Sequence, residues 1–271
     1  MNKDKLKSHT TNLMDVLYGN EELRYDDISE NWFEATKIYR PSMGWDAPGV
    51  NNLLRSPILQ EISTRAGKKY DDLPLIPLKK PLSVDMGILE ALQNRYSTYE
   101  FNNESITFEE LSSLLFAAYG VIQRKEGLRR TVPSGGALYP LDIYILVNNV
   151  NGLKHGVYHF DPYRDGIIFL HDFDNEEFYE AMLQKENVEG FAFGIVIGGS
   201  FWRSRFKYGH RSYRFSLIES GHVMQNLDLV ATALNLKGRP YGGFIDDELT
   251  KIVGVYNGVD EAPLYVFIGG K

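Results

Sequence analysis

FWRSRFKYGHRSYRFSLIESGHVMQNLDLVATAL, residues 201–234, is the stretch on which the fold turns. From residue 213 onward Phe215, Leu217, Ile218, Val223, Met224, Leu227, Leu229, Val230, Ala233 and Leu234 put apolar side chains on nearly every side of a helix. That is the pattern of a helix enclosed by protein on several sides. A central core helix in a monomer and a helix at a dimer interface both satisfy it. Ahead of it Arg203, Arg205, Lys207, Arg211 and Arg214 bring five positive charges with no acid among them. Helix N-termini favour negative charge, so this cationic lead-in opposes the macrodipole; a bound anion, or pairing with distant carboxylates, would relieve the conflict. Within the lead-in, Lys207 and Tyr208 are residue types suited to general acid–base work, because burial and neighbouring cations can pull their proton affinities toward neutrality.

Upstream, PSGGALYP at 133–140 precedes a strand at 142–147, and its paired glycines allow backbone to approach a flat ligand closely. Val157 to Phe160 and Gly166 to Leu170 read as a hairpin about a DPYRDG turn. Thr107 and Glu110 form a capping box that opens a largely apolar helix ending at Tyr119. Residues 124–130 read as an arginine-rich loop, and Arg95 and Ser97 can face one phosphate if the backbone is extended. Before Val84 the chain reads as a helical and extended lead, with helix-compatible stretches at 30–38 and 53–62. The proline-bearing LPLIPLKKPLS at 73–83 reads as a strap lying on the main domain. Downstream, a glycine turn at Tyr241-Gly242-Gly243-Phe244 leads to a helix at 246–253 and a strand at 263–268. Strands alternating with helices give an α/β or α+β domain over 84–271, after a lead of residues 1–83.

Composition narrows the classes. The 271 residues carry 29 basic and 36 acidic side chains, a net charge of −7, so a generic nucleic-acid coat is not expected. With no cysteine, this chain has no disulfide, thiolate nucleophile or Cys-based metal site; it is compatible with the cytoplasm. MNKDKLKSHTTNLMDVL lacks the continuous apolar segment of a signal peptide, and no run of 18 apolar residues is present to span a bilayer. His155 and His159 share one face of a strand-like segment and read as ordinary strand residues, so no metal site is expected.

Five phrases in order carry a resemblance: RYSTYEF (95–101), PSGGALYPLDIYILV (133–147), GVYHFDP (156–162), RSRFKYGHRSYRFSLIESGHVMQNL (203–227) and RPYGGFIDDELTKIVGV (239–255). Together they resemble the SagB/ThcOx-type flavin dehydrogenases, a branch of the nitroreductase-like flavoproteins. The resemblance implies an α+β fold with a mixed central sheet flanked by helices, the long helix at a homodimer interface, and one FMN per site there. It implies cofactor contacts from Arg95, Tyr96 and Ser97 on the phosphate and ribityl side. Pro133, Ser134 and Gly135 would come from the partner chain along the isoalloxazine, and Gly242 and Gly243 would approach flavin N5 or O4. Tyr99 stands where many relatives have Arg or Lys, so that contact is lost or replaced. Lys207 and Tyr208 match the catalytic pair of the azoline-oxidising members.

The resemblance therefore implies a cytoplasmic FMN-dependent oxidoreductase that tailors a ribosomally made peptide, dehydrogenating a thiazoline or oxazoline to the azole. Its partners would be the peptide and a cyclodehydratase or dehydratase complex. Reduction of dehydroalanine or dehydrobutyrine in a lanthipeptide-type precursor uses the same parts in the other direction. A small-molecule nitro or quinone reductase and a non-catalytic assembly subunit are the remaining readings.

Overall fold

The computed structural model describes residues 28–40, 48–64, 67–125 and 127–271. The N-terminal segment read above for a signal peptide lies outside the described residues. The chain divides into two compact units, Met1–Tyr39 and Arg40–Lys271. Within the first, Ile28–Ala35 is helix α1. The second begins well upstream of residue 84. Its first helices are α2 (Pro48–Arg55) and α3 (Pro57–Thr64). The sequence predicts one helix across them; Pro57 cannot donate its backbone nitrogen to a continuing helix, so the chain breaks at Ser56 and restarts.

The strap then enters the sheet as β1 (Leu75–Pro77), antiparallel to β6 (Gly166–His171). Ser112 and Ser113 pin it further by accepting from Lys79 N at 3.0 Å and Leu82 N at 2.9 Å. Helix α4 (Ile88–Asn94) follows, and α5 (Phe108–Tyr119) opens on the expected capping box of Thr107 and Glu110. The arginine-rich segment read as a loop is a hairpin, β2 (Val121–Arg124) with β3 (Gly127–Arg130). Four-residue strands loaded with charge hide the two-residue alternation.

The main sheet holds seven strands in the order β1-β6-β5-β4-β7-β9-β8. The remaining members are β4 (Leu141–Val147), β5 (Gly156–Asp161), β7 (Phe193–Ser200), β8 (Lys237–Tyr241) and β9 (Glu261–Gly270). All its strand pairs are antiparallel, which corrects the expectation of a mixed sheet; among the described residues the single parallel contact is an isolated bridge from Ile106 to Val150. The reason is connectivity. β4, β5 and β6 follow one another as a meander, and the one long helical crossover, from β7 to β8, joins parallel strands that never pair because β9 returns between them. β8, unmarked in the sequence because it contains Gly238 and Pro240, is an edge strand, where proline is tolerated.

β4 decides the layering. Ile143, Ile145 and Val147 point into one core, shared with α5 and the long helix α8 (Ser212–Ala233). Tyr144 and Leu146 point into the other, shared with α6 (Asn175–Ala181) and α9 (Asp246–Val253). Burial on both faces explains a continuous apolar run in an antiparallel strand. In this chain α8 buries one face, through Ser216, Glu219, Val223, Leu227 and Ala231, and not several sides as its composition predicts. Leu217 and Ile218 on the outer face are 46% and 55% exposed.

Candidate functional site

The cationic lead-in to the long helix is not a loop. Trp202–Tyr208 is a seven-residue helix, α7, ended by Gly209 with φ +53° and joined to α8 by a single 3-10 turn. That turn sets Lys207 and Tyr208 against the 133–140 loop. Gly136 adopts φ +64°, and a Cβ there would run into Tyr208 Oη and Lys207 Nζ. The backbone there therefore favours glycine, and any larger residue would also have to push the tips of both side chains aside. Lys207 is only 8% exposed, its Nζ 5.0 Å from the centre of the Tyr208 ring. Tyr208 meets Phe215 edge to face at 4.8 Å, and Phe215 in turn lies against Gly135. Helix α2 backs this unit: a Cβ on Gly49 would strike the Phe206 carbonyl.

Arg203, one turn before Lys207 on the same helix face, is not available to an external anion. Its Nη1 and Nη2 donate to the two oxygens of Asp142 at 2.9 and 2.7 Å, both residues being buried. Burial pushes the Asp142 carboxyl up, but the Arg203 fork overrides it and holds the carboxyl below its usual value. The macrodipole conflict is thus relieved at Arg203 by a distant carboxylate.

Beside the loop, Pro133, Ser134, Gly135, Phe215, Ile218 and Glu219 line an open cavity of about 230 Å³. Ser134 is fixed by Tyr139, whose backbone N–H donates to its Oγ at 2.9 Å. Glu219 is 2% exposed; it accepts from Tyr119 Oη, and its other oxygen has no hydrogen-bond partner. Burial raises its carboxyl from 4.5 to about 7, against the lowering pull of Ser134, Tyr119 and Arg130. A carboxyl raised on folding favours the protonated native state, so its contribution is complete below about pH 4.5 and is lost as pH rises to about 7. The expected cost is of order 3 kcal/mol. Glu219→Gln should flatten the thermal-stability profile across that window, gaining on wild type most above pH 7. Parallel profiles for the two proteins would contradict this.

Arg95, Tyr96 and Ser97 lie elsewhere, after α4. Arg95 Nη1 pairs with Asp228 Oδ2 of α8 at 3.2 Å. Thr98 N donates to Gly238 O at 3.0 Å, which ties the segment to β8. Arg239 on that strand donates to Thr98 O at 2.9 Å and lays its guanidinium 4.4 Å from the Tyr99 ring centre. A cation therefore sits directly on the residue that departs from the family pattern. β8 runs straight into Gly242 and Gly243; a Cβ on Gly242 would find nothing nearer than 3.9 Å, leaving space for a flat group.

The structure thus brings 133–136, Lys207 and Tyr208 together, and separately brings 95–99, Arg239 and the 242–243 turn together. It does not join the two sets within one chain. Phe215, packed on Gly135, and Asp228, paired with Arg95, are 13 residues apart on α8, about 20 Å along its axis.

Sequence reasoning missed Asp142, Glu219 and Arg239. Asp142 could have been found, since an acid in an otherwise apolar strand must meet a cation. Glu219 shares the inward stripe of α8 with Ser216, Ser220 and Val223. The histidines separate: His155 precedes β5 and stacks on Phe173 at 4.4 Å, while His159, in β5, lies between Tyr70 and Tyr144.

The sequence pattern of the nitroreductase family matches residues 92–271. The nitroreductase-family protein MJ1384 of Methanocaldococcus jannaschii is 37% identical over 183 residues, 67% of this chain and 89% of that protein. The Microcin B17-processing protein McbC of Escherichia coli is 31% identical over 134 residues, 47% of this chain and 49% of McbC. The Trifolitoxin-processing protein TfxB of Rhizobium leguminosarum bv. trifolii is 34% identical over 117 residues, covering 41% and 31%. Among solved structures, a nitroreductase-family protein from Anabaena variabilis aligns with TM-score 0.63 and 27% identity over 74% of this chain and 42% of that one. A chain of the E. coli Microcin synthetase McbBCD complex with truncated pro-MccB17 bound has the same fold over 98% and 99% of the two chains, TM-score 0.57 at 22% identity.

Proposed function

The chain belongs to the nitroreductase family, and from that premise we propose that it is an FMN-dependent oxidoreductase tailoring a ribosomally synthesised peptide, by dehydrogenating a thiazoline or oxazoline to the azole. The observation that carries the reading is the convergence of Lys207 Nζ and Tyr208 Oη on Gly136. An acid–base pair against a glycine loop suits a reaction that moves a proton beside a flat redox group. That two relatives are peptide-processing proteins supports the substrate class.

The residues fit FMN. Arg95 and Arg239 give cations for the phosphate end, the Gly242 turn gives open space beside backbone, and the Pro133–Gly135 cavity, floored by Phe215 and Ile218, gives a largely apolar wall for the ring. Bound there, FMN would accept the hydride. Lys207 or Tyr208 would take the proton from one ring C–H of the azoline as the neighbouring carbon loses its hydride, and the electron pair left by the proton would become the new double bond. Because Phe215 and Asp228, which meet the two sets, stand 13 residues apart along α8, a homodimer with α8 at its interface completes each site. The exposed Leu217 and Ile218 supply apolar surface for that contact. A cyclodehydratase that forms the azoline is the implied partner.

The test is a peptide bearing a preformed azoline, incubated with protein and FMN. Loss of two hydrogens per ring in the mass spectrum is expected; an unaltered azoline alongside rapid nitroaromatic reduction would replace this reading with the small-molecule one. Arg95→Ala should weaken FMN about tenfold or more, through loss of a charge-assisted contact worth of order 1.5–3 kcal/mol, as read by quenching of flavin fluorescence. Unchanged FMN affinity would remove Arg95 from the phosphate site.

A further inference from the structure

A second cavity, of about 420 Å³, lies between residues 67–71, β3, β4 and the β5–β6 hairpin, and no step above uses it. Its size falls within the range of ligand pockets. Its charged walls are unevenly satisfied. Asp142 is held by Arg203; Asp161 accepts from Arg164 Nε at 2.6 Å and from the backbone N–H groups of Tyr163 and Arg164. Asp71 faces Arg164 at 3.5 Å, and Lys68 pairs with Glu261. Arg130 and Lys69 have no carboxylate partner among the described residues.

Arg130 is the unusual one. It is only 8% exposed, flanked by the rings of Tyr119, Tyr139 and Tyr163 at 3.9, 5.1 and 5.1 Å. Its Nη2 reaches Tyr163 Oη at a long 3.4 Å, and its Nε has no partner. His159 Nδ1, in the same wall and 2% exposed, is also without a partner. Aromatic faces stabilise a guanidinium, but a buried fork with unused donors is ordinarily matched by an oxyanion. Behind the wall, Glu219 is not that partner: it lies across Tyr119 and takes the Tyr119 hydroxyl.

We infer that this cavity binds a carboxylate-bearing ligand, with Arg130 as its anchor and Lys69 at its mouth. Cavity and immediate ion-pair partners carry five cations, Lys68, Lys69, Arg130, Arg164 and Arg203, against the four carboxylates of Asp71, Asp142, Asp161 and Glu261. That excess of cations around the cavity favours an anion. The planar fork matches a carboxylate's two oxygens. The carboxylate could end a peptide chain or belong to a free small acid; the chemistry at Arg130 is the same.

The experiment is isothermal titration of the full chain, with and without FMN, using N-acetyl-diglycine, its C-terminal amide, and acetate. The acid should bind, the amide at least about tenfold more weakly, and FMN should leave both unchanged. Acetate matching the dipeptide acid would point to a free small acid, and a tighter dipeptide to a chain terminus. Arg130→Gln should weaken the acid by about 10- to 100-fold, and Lys69→Gln by a few-fold. Absence of acid binding at tens of millimolar, equal binding of acid and amide, competition with FMN, or wild-type affinity in Arg130→Gln would overturn the assignment. If Arg130→Gln does not fold, unchanged affinity in the exposed Lys69→Gln has the same consequence. A protein that binds the acid but never FMN would remove the flavin reading and leave this one standing.

Discussion

Lys207→Ala and Tyr208→Phe are each expected to lower turnover by roughly 10²–10⁴-fold, the usual range for a lost acid or base, while FMN content and melting temperature stay near wild type. Tyr208→Phe removes one oxygen and keeps the ring, so its edge-to-face contact with Phe215 survives. Lys207→Ala removes the amine that, with Tyr208 Oη, meets Gly136. If the pair served only to anchor α7 before α8, flavin content and stability would fall together with activity. Full turnover by Tyr208→Phe would take the phenol out of the mechanism and leave Lys207 as the proton carrier.

Breaking the clamp beneath that pair should give the largest stability effect. Asp142→Ala leaves the Arg203 guanidinium buried without the carboxylate it forks onto, and it leaves Ser200 Oγ only the longer bond to Glu261 Oε1 at 3.2 Å. Removing one partner of a buried pair costs about 3–5 kcal/mol, most of it from the stranded charge. Asp142→Leu combined with Arg203→Met removes both charges and should lose far less, because desolvation of the ions disappears along with their attraction. Denaturant titration distinguishes the cases through the midpoint at constant slope. A loss under about 1 kcal/mol for Asp142→Ala would mean that water or another group reaches Arg203, and that α7 is anchored some other way.

Much of this was legible in the residues, and the failures have physical causes. The capping box at Thr107, the hairpin about Asp161 and the long helix were set by local rules, and local rules are readable. The identity of α7 was not: five cations in fourteen residues look solvated until Asp142, about 60 positions away, is known to take Arg203. The outward face of α8 misled for a related reason. Apolar side chains all round a helix predict enclosure, and in this chain Leu217 and Ile218 remain exposed. A sequence records what must be covered without recording which chain covers it. β2, β3 and β8 were hidden because charge, glycine and proline mask alternation in short or edge strands. Arg239 was quoted with its phrase but carried no role until its guanidinium was found on Tyr99.

In the proposed dimer two copies of this chain build each flavin site, one supplying the 95–99 and 242–243 side, the other the loop and the Lys207–Tyr208 pair. Sedimentation velocity recorded at the visible absorbance of flavin tests it most directly, because only flavin-carrying particles form the boundary. A single coloured boundary is expected at twice the chain mass of 30.9 kDa, with no coloured material at 30.9 kDa. A coloured boundary at the mass of one chain would contradict the shared site, and a dimer that stays colourless after incubation with FMN would contradict the cofactor.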